Sequence, residues 1–262
     1  MSELKKLKVL FMGKDKDTVL TALRYLMTIR GESIQIVGVA APKHGKLWKC
    51  AESFGLKTYS NKDLYNDPIK DLDLAVSFLY PRKIKEPYLT GIRLGCINFH
   101  PAPLPDIRGV ACYSRAILRG DCKYGVTCHF VEEDFDTGDI ISIARFAMDP
   151  DVETSYSLEK RSLHYILYLF YEVMSNLIER KKIYRTSQKD EKYKHITPIY
   201  TRIKDIDKLR TVKDTDTAEE VDRKIRAFWF PPMPGARIVV GGEEFTLIND
   251  QILWEIKQWE QQ

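Results

Sequence analysis

No run of about 18 or more apolar residues occurs in the sequence, and its first residues, Met1 to Lys6, contain no apolar signal core. A membrane-spanning helix needs about 20 consecutive apolar residues. A secretory signal likewise needs an apolar core. The sequence also has no internal repeat and no low-complexity tract. These absences lead us to expect a cytoplasmic protein that does not interact with membranes.

Cysteines are few and show no pairing pattern. The five cysteines are odd in number and lack the spacing of metal ligands, which favours a reducing compartment and predicts no metal site. An excess of one charge sign is also absent, since the formal net charge at pH 7 is only +4. A balance of this size suits anionic small ligands and is far from that of a nucleic-acid-binding protein. We therefore expect no nucleic-acid partner.

Short apolar runs alternate with amphipathic stretches in the first hundred residues. We predict helices from Asp17 to about Ile29 and from Leu47 to Phe54. Strands are predicted at Leu7–Gly13, Ile34–Ala40, Leu74–Leu79 and Leu94–Phe99. This alternation is typical of an α/β fold with a doubly wound, mostly parallel sheet. Gly13 starts neither a dinucleotide-binding motif nor a P-loop, so we interpret it as a tight strand-to-helix turn.

The rest of the chain is predicted to complete a core and to add a small module. A helix at Val110–Leu118, strands at Gly125–Val131 and Ile140–Phe146, and a helix capped by Thr154 or Ser155 that runs to about Lys182 come first. Polar residues 186–205 mark the edge of the core. A helix at 217–228, an aromatic turn at 229–235 and a hairpin at 236–248 follow. We therefore divide the chain into a catalytic core, residues 1–205, and a C-terminal helix and hairpin module, residues 206–262.

A proline-rich segment from Asn98 to Gly109 carries the first candidate active-site residues. Asn98 and His100 leave a predicted strand at its carboxyl end on alternate positions, so their side chains point the same way. Open α/β sheets bind ligands at such ends. Asp136 follows Gly109 by 27 residues, in an acidic loop. We expect Asn98 to stabilise a developing oxyanion, His100 to exchange a proton, and Asp136 to orient the histidine.

Two other interpretations stay open for the residues near this segment. The acidic loop 132–139 could bind Ca²⁺ through its carboxylates, although its spacing differs from that of an EF-hand. His129, in the middle of a predicted strand, need be nothing more than a hydrogen-bonded structural residue. No serine or cysteine motif marks a nucleophile, so we expect the attacking group to belong to a substrate. The reaction would then be a transfer between two bound ligands.

A specific combination of motifs extends over roughly Leu7 to Leu177. It consists of Asn98-x-His100-Pro, Leu104-Pro105, Gly109, Gly125-Val-Thr127 and Asp136-Thr-Gly-Asp139. In this combination the sequence resembles the 10-formyltetrahydrofolate-dependent formyltransferase family. The resemblance implies a Rossmann-like core, 10-formyltetrahydrofolate as the formyl donor, and Asn98, His100 and Asp136 as the catalytic residues.

The resemblance also implies where the donor and the acceptor bind. The family binds the pterin largely through backbone groups at the position of Tyr80 to Ile84. We expect donor contacts from Tyr80, Arg82, Lys83, Ile84, Asp134 and Gly138. We expect acceptor contacts from Pro103, Arg108, Gly109, Arg226 and Trp229. Alternatively, Arg82 and Lys83 are solvated charges, and the aromatic residues around Trp229 only pin the C-terminal module to the core.

The C-terminal module favours one acceptor class within this family. Only 57 residues follow Asp205, and we expect a helix and a hairpin there, unlike the closed β-barrel with which methionyl-tRNA formyltransferases help hold tRNA. Glycinamide ribonucleotide formyltransferases usually end near the long helix. Nucleotide-sugar N-formyltransferases are similar to this sequence in length and in the segment from Ile225 to Ala236. An arginine with clustered aromatics could hold a nucleotide there.

We therefore expect formyl transfer to the amine of a nucleotide-linked amino sugar, best represented by dTDP-4-amino-4,6-dideoxyglucose, for bacterial surface polysaccharides such as O-antigen and lipopolysaccharide. The base, the sugar and the position of the amine stay open, with UDP- and GDP-sugars as alternatives. Glycinamide ribonucleotide or methionyl-tRNA is the alternative acceptor. Hydrolysis of the donor and a non-catalytic folate or nucleotide sensor are further alternatives. We expect a homodimer, because the edge of the hairpin could pair across a two-fold axis.

Overall fold

The computed structural model describes residues 6–28, 32–179 and 181–259, and its central feature is a seven-stranded sheet. The strands are β1 (Leu7–Gly13), β2 (Ile34–Ala40), β3 (Thr58–Tyr59), β4 (Leu74–Phe78), β5 (Cys96–His100), β6 (Ile107–Gly109), β7 (Lys123–Phe130), β8 (Ile140–Ala147), β9 (Ile199–Thr201), β10 (Arg237–Val240) and β11 (Glu243–Thr246). The order in the large sheet is β3-β2-β1-β4-β5-β7-β8. Its first five strands are parallel, and β7 pairs antiparallel with both β5 and β8. The predicted α/β fold with a mostly parallel sheet is confirmed.

Helices cover both faces of this sheet. They are α1 (Asp17–Thr28), α2 (Lys46–Ser53), α3 (Asn61–Asn66), α4 (Cys112–Arg119), α5 (Ser155–Ile178), α6 (Ile206–Arg210), α7 (Ala218–Phe228) and α8 (Asp250–Trp259). In β1, Val9 and Phe11 pack into a layer with α1 and α5, whereas Leu10 and Met12 pack into the opposite layer with α3. All four side chains are fully buried. Burial of each contributes about 1.5–3 kcal/mol through transfer out of water.

The predicted helices form where expected, with shifts at their ends. α5 begins after Thr154, whose hydroxyl accepts a hydrogen bond from the main-chain N–H of Ser157 and so caps the helix. It ends at Ile178, short of the predicted Lys182. α2 and α4 are likewise shifted by one or two residues from the ranges predicted for them. The predicted end of α1 near Ile29 lies outside the described residues.

Residues 186–205, which the sequence predicts as a polar border, contain a strand. β9 pairs in parallel with β6, so that Thr201 lies beside Gly109. Arg115 on α4 donates through Nε to Thr201 Oγ1 at 2.7 Å, and the main-chain N–H of Val110 donates to the Thr201 carbonyl at 3.0 Å. This pairing fixes the end of the predicted core against the segment that carries Gly109.

The C-terminal module packs on α4 and α5. Ile225 and Phe228 of α7 and Ile252 of α8 share an apolar cluster with Ile117 of α4 and Leu158 of α5. The predicted helix and the predicted hairpin on Gly241-Gly242 are confirmed as α7 and β10–β11. The sequence patterns do not predict α8, and the boundary at residue 205 stays a prediction. Within the described ranges, no helix is long and apolar enough to cross a membrane.

Candidate active site

Three neighbouring strands bring polar side chains into one row. Ser77 on β4 lies beside Asn98 on β5, and Asn98 lies beside His129 on β7. Paired residues on adjacent strands face the same side of a sheet, so the three side chains meet. Ser77 Oγ donates to Asn98 Oδ1 at 2.7 Å, and Asn98 Nδ2 donates to His129 Nε2 at 3.1 Å. The row fixes which way the Asn98 amide faces.

The orientation of this amide leaves an N–H for a ligand. An amide nitrogen carries two hydrogens, and His129 accepts only one of them. Asn98 lines a cleft at this edge of the sheet, and its oxygen is already occupied by Ser77. The group that the amide presents to the cleft is therefore a donor. A donor in this place suits an oxygen that gains negative charge during a reaction.

His129 supports the amide as a neutral imidazole. Its Nδ1 donates to the main-chain oxygen of Phe130 at 2.7 Å, so its Nε2 carries the lone pair that accepts from Asn98. Burial lowers the pKa of His129 to about 4, against the opposing effect of Asp136. The ring is therefore uncharged near neutral pH. This agrees with the interpretation of His129 as a hydrogen-bonded structural residue and identifies Asn98 as its partner.

His100 is held by the main chain and faces a carboxylate. Its Nε2 donates to the main-chain oxygen of Ile107 at 3.1 Å. Its Nδ1 lies 3.4 Å from Asp136 Oδ1, within ion-pair range, and both side chains are almost entirely removed from solvent. Salt and water therefore screen this interaction little. Nδ1 is the ring nitrogen that is placed to exchange a proton next to Asp136.

Asp136 has a left-handed backbone conformation, with φ at +58°. Non-glycine residues adopt this region at an energetic cost, so neighbouring contacts must hold it. The N–H of Gly109 donates to Asp136 Oδ2 at 2.8 Å. Gln188 Nε2 donates to the main-chain oxygens of Asp136 and Gly138 at 2.9 and 2.8 Å, and its Oε1 accepts from Arg108 Nη2 at 2.7 Å. Together these bonds keep the carboxylate against His100.

The cleft into which these groups open has a volume of about 590 Å³, a size typical of sites for small ligands. Leu79 to Ile84, after β4, and Val131 to Asp136, after β7, form two of its walls, and residues 200–204 form another. Lys14, directly after β1, also lines it, and burial lowers the pKa of its ammonium group. No group of three or more His, Cys, Asp or Glu in the described part of the chain, the acidic loop included, is arranged to hold a metal ion.

The structure gathers most of the predicted site residues around this cleft. It is lined by Asn98, His100, Asp136, Tyr80, Arg82, Lys83, Ile84, Asp134 and Gly109. Pro103 and Arg108 do not line it, because Pro103 is buried and the Arg108 guanidinium bonds to Gln188. Gly138 does not line it either. A side-chain carbon at Gly138 would lie 2.0 Å from the Phe130 carbonyl, so this glycine allows a close backbone approach. These three residues have structural roles, and the ligand contacts expected of them stay a prediction.

Arg226 and Trp229, the acceptor contacts expected from the C-terminal module, bond within the protein, and acceptor contact by them stays a prediction. Arg226 is only 2% exposed. Its guanidinium donates to Asp222 Oδ2 at 2.8 Å and to the carbonyls of Pro150 and Glu153 at 2.6 and 3.2 Å. Trp229 donates through Nε1 to Glu255 Oε2 at 3.1 Å and packs in the cluster between the module and the core. Both residues therefore attach the module, in agreement with the alternative interpretation of the aromatic segment.

Sequence reasoning missed several residues that build the site. Ser77 had a signal, because it is the polar residue in the apolar run from Leu74 to Leu79. Gln188 and residues 200–204 had none, because contacts between distant parts of the chain bring them to Asp136 and Gly109. Lys14 stands at a strand-to-helix turn that carries no recognised phosphate motif.

Comparison with known proteins gives consistent results. A family model described as formyl transferase matches residues 51–173. The chain is 30% identical over 253 residues to a methionyl-tRNA formyltransferase of Parvibaculum lavamentivorans, and the match covers 90% of this chain and 78% of that protein.

Two solved structures share the fold. A 4-N formyltransferase from Francisella tularensis superposes with a TM-score of 0.74 at 21% identity, over 94% of this chain and 98% of that one. An N-formyltransferase from Helicobacter canadensis, in complex with folinic acid and dTDP-3-aminofucose, superposes with a TM-score of 0.70 at 21% identity, over 90% of this chain and 85% of that one.

Proposed function

The chain belongs to the formyl transferase family, and from this premise we propose that it transfers a formyl group from 10-formyltetrahydrofolate to the amine of a nucleotide-linked amino sugar. Membership makes the protein an enzyme of formyl transfer. The donor and the acceptor are supported by the features of the cleft and of the C-terminal module. We propose Asn98, His100 and Asp136 as the catalytic residues.

The cleft has the properties that a formyl-folate donor requires. It is large enough for a bicyclic ring, and its walls carry main-chain groups of residues 79–84 and the carboxylates of the acidic loop, which can meet the hydrogen-bonding edge of a pterin. Tyr80, Arg82, Lys83, Ile84 and Asp134 are the predicted donor contacts that lie there. When bound, the donor supplies a formyl carbon that an amine can attack.

Each of the three proposed catalytic residues has a distinct role in the transfer. The Asn98 amide donates to the formyl oxygen as negative charge develops on it, and loss of such a donor typically costs about 2.7–4 kcal/mol of transition-state stabilisation. The amine that attacks the formyl carbon must lose a proton, and the nitrogen released from that carbon must gain one. Asp136 and His100 accept the first proton and deliver the second.

One observation above all supports a sugar-nucleotide acceptor. The helices α7 and α8 and the residues on either side of the hairpin pack on the core in one apolar cluster, and the superposition on the 4-N formyltransferase covers 94% of this chain and 98% of that one. The cleft adds a second argument, because the Lys14 ammonium lies in its wall while the nearby carboxylate of Glu159 is paired with Lys16 at 2.6 Å. A cation in this place suits the diphosphate of a nucleotide.

The experiment is a formyl-transfer assay read by mass spectrometry, with 10-formyltetrahydrofolate and a panel of dTDP-, UDP- and GDP-linked 3- and 4-amino sugars together with methionyl-tRNA and glycinamide ribonucleotide. We expect a mass gain of one formyl group on a sugar nucleotide, with dTDP-4-amino-4,6-dideoxyglucose as the first compound to test, and loss of the product in His100→Ala. Absence of product on every sugar, with formylation of methionyl-tRNA or glycinamide ribonucleotide, would refute the proposed acceptor.

Methionyl-tRNA is the second candidate acceptor, because the 30% identity to a methionyl-tRNA formyltransferase extends over 90% of the chain. The same assay decides between the two, since charged initiator tRNA is included in the panel. A sugar product would place the enzyme in the synthesis of bacterial surface polysaccharides, such as O-antigen or lipopolysaccharide.

We also propose a cytoplasmic homodimer in which the hairpin β10–β11 contacts a second copy. Val239, Val240 and Phe245 are large apolar side chains that this hairpin leaves exposed. Sedimentation velocity of the wild-type protein and of Val240→Lys tests this proposal, with a dimer expected only for the first.

A further inference from the structure

The donor cleft has a wall outside the region that the family model matches. Residues 199–204, here called the rim segment, line the cleft from Tyr200 onward, whereas the family match ends at residue 173. The segment comprises β9 and the start of a short 3₁₀ helix over Ile203–Asp205. None of the sequence motifs includes it.

The rim segment combines one buried, anchored residue with exposed side chains at the cleft. Thr201 is buried and bonded by Arg115, as described above. Its neighbours Tyr200 and Arg202 are exposed, and all three residues line the cleft. The Arg202 guanidinium lies 5.6 Å from the centre of the Tyr200 ring, which orients the pair.

The rim segment adjoins the catalytic residues at Gly109. A side-chain carbon at Gly109 would lie 2.3 Å from the Thr201 carbonyl and 3.0 Å from the Tyr200 ring. The N–H of the same glycine donates to Asp136. The position of Tyr200 relative to the carboxylate is therefore set by packed backbone rather than by a free loop.

Apolar side chains at this mouth of the cleft are unusually open to solvent. Ile203 is 77% exposed, Tyr200 is 44% exposed, and Phe135 on the acidic loop is 48% exposed, yet all three line the cleft. Apolar groups that border a polar cleft are typical of a surface that a ligand covers. A flat ring that bridges the cleft and the solvent would remove them from water.

Charges at the mouth extend this surface. Arg202 and Lys204 of the rim segment and Arg82 and Lys83 of the loop after β4 line the cleft, and all four residues are exposed. Glu132, Glu133 and Asp134 contribute opposite charge from the acidic loop. The rim segment itself adds two cations, Arg202 and Lys204, and the carboxylate of Asp205, directly after the segment, accepts from the main-chain N–H of Arg202.

We propose that the rim segment binds the p-aminobenzoyl-glutamate half of the folate donor, with Tyr200 and Ile203 against the aromatic ring and with Arg202 and Lys204 near the carboxylates of the glutamate chain. The inference rests on the folate donor and is independent of the acceptor. The basic pair should make the enzyme prefer donors that carry several γ-linked glutamates over those with one. The rim segment would thus set how tightly a donor of each chain length binds.

The test measures the dissociation constants of 5-formyltetrahydrofolate, as the monoglutamate and the pentaglutamate, by isothermal titration calorimetry. Ile203→Ser should weaken both forms about fivefold to tenfold, since it removes apolar surface that the ring covers. Ile203→Leu should bind as the wild type does. Val152→Ser, which shortens an exposed side chain away from the cleft, is the matched control.

A second pair of variants tests the contact of Arg202 and Lys204 with the carboxylates of the glutamate chain. The wild-type protein should bind the pentaglutamate at least about fivefold more tightly than the monoglutamate at low salt, and this ratio should fall toward one in Arg202→Gln/Lys204→Gln. Lys208→Gln/Lys213→Gln removes two exposed cations outside the cleft and should keep the ratio.

An unchanged dissociation constant in Ile203→Ser overturns the apolar contact. A ratio of one in the wild type, or an unchanged ratio in the double variant, overturns the charge contact. Because binding is measured without acceptor, failure of the proposed sugar transfer would leave this result standing.

Discussion

Gln188 is predicted to control catalysis without touching either substrate. It is buried, and its side-chain amide joins three groups, the carbonyls of Asp136 and Gly138 and the guanidinium of Arg108. Gln188→Leu removes all three hydrogen bonds at nearly constant volume. Each bond contributes about 0.5–1.5 kcal/mol net, so the free energy of unfolding should fall by about 2–4 kcal/mol. For a protein of this size that loss corresponds to a decrease of about 4–16 °C in melting temperature, at about 2–4 °C per kcal/mol.

The effect on activity should exceed the effect on stability. Asp136 keeps its left-handed conformation against a cost of about 1–3 kcal/mol, and Gln188 bonds to its carbonyl directly. Once that bond is lost, the loop can relax and move the carboxylate away from His100. A displacement of about 1 Å typically lowers a rate about a hundredfold. We therefore expect kcat to fall by about that factor while donor affinity changes little.

The assay is steady-state formyl transfer to whichever acceptor the panel identifies, with thermal unfolding measured in parallel. Gln188→Glu separates the two functions of the side chain, because it keeps an acceptor for Arg108 and loses the donors to the loop; its kcat should fall as well. Gln251→Leu is the matched control, since Gln251 also donates to a main-chain carbonyl, that of Val152, but lies outside the cleft. A wild-type kcat in Gln188→Leu, together with a lowered melting temperature, would refute the positioning role.

Three further predictions concern the same site. Asn98→Ala should lower kcat by about a hundredfold to a thousandfold, because the donor to the developing oxyanion is lost; a decrease below tenfold in steady-state assays would contradict that role. His129 is neutral in the folded protein and has its pKa lowered to about 4 by burial, so as pH falls from about 6.5 to 4 protonation should favour the unfolded chain. His129→Gln should therefore lose less stability over that window than the wild type in thermal melts at stepped pH, and equal slopes would speak against the buried neutral ring. Gly138→Ala places a carbon 2.0 Å from the Phe130 carbonyl and should destabilise the protein by about 1–3 kcal/mol in urea unfolding, with an unchanged midpoint as the opposing result.

Local sequence patterns predicted six of the seven strands of the large sheet, all but the two-residue β3, and suggested the proposed catalytic residues. The apolar runs predict β1, β2 and β4 closely, because central parallel strands are buried on both faces and read as continuous apolar segments. Because Asn98 and His100 occupy alternate positions at the end of β5, the sequence predicts that their side chains face the same way. Asp136 was expected beside His100 from its acidic loop and from the resemblance to a known family, although its approach to His100 follows from chain folding over 36 residues.

The remaining features of the site depend on contacts that no local pattern encodes. His129 lies in the middle of a strand, and only the register between β5 and β7 places it beside Asn98. Arg226 lies among clustered aromatic residues, a composition that can bind a nucleotide. In the structure, however, the helix that carries it directs the guanidinium toward buried carbonyls. The sequence predicts residues 199–204 as part of a polar border, because a strand of three residues shows too little alternation of apolar and polar residues to be recognised.

The row Ser77, Asn98, His129 also links activity to the completeness of folding. Each member comes from a different strand, and β6 and α4 lie between β5 and β7 in the chain. Until all three strands have paired, the Asn98 amide is free to rotate about its side-chain bonds and presents either its oxygen or its nitrogen to the cleft. The proposed oxyanion donor is therefore oriented only when all three strands pair, and we expect a chain that has folded only in part to contribute no turnover.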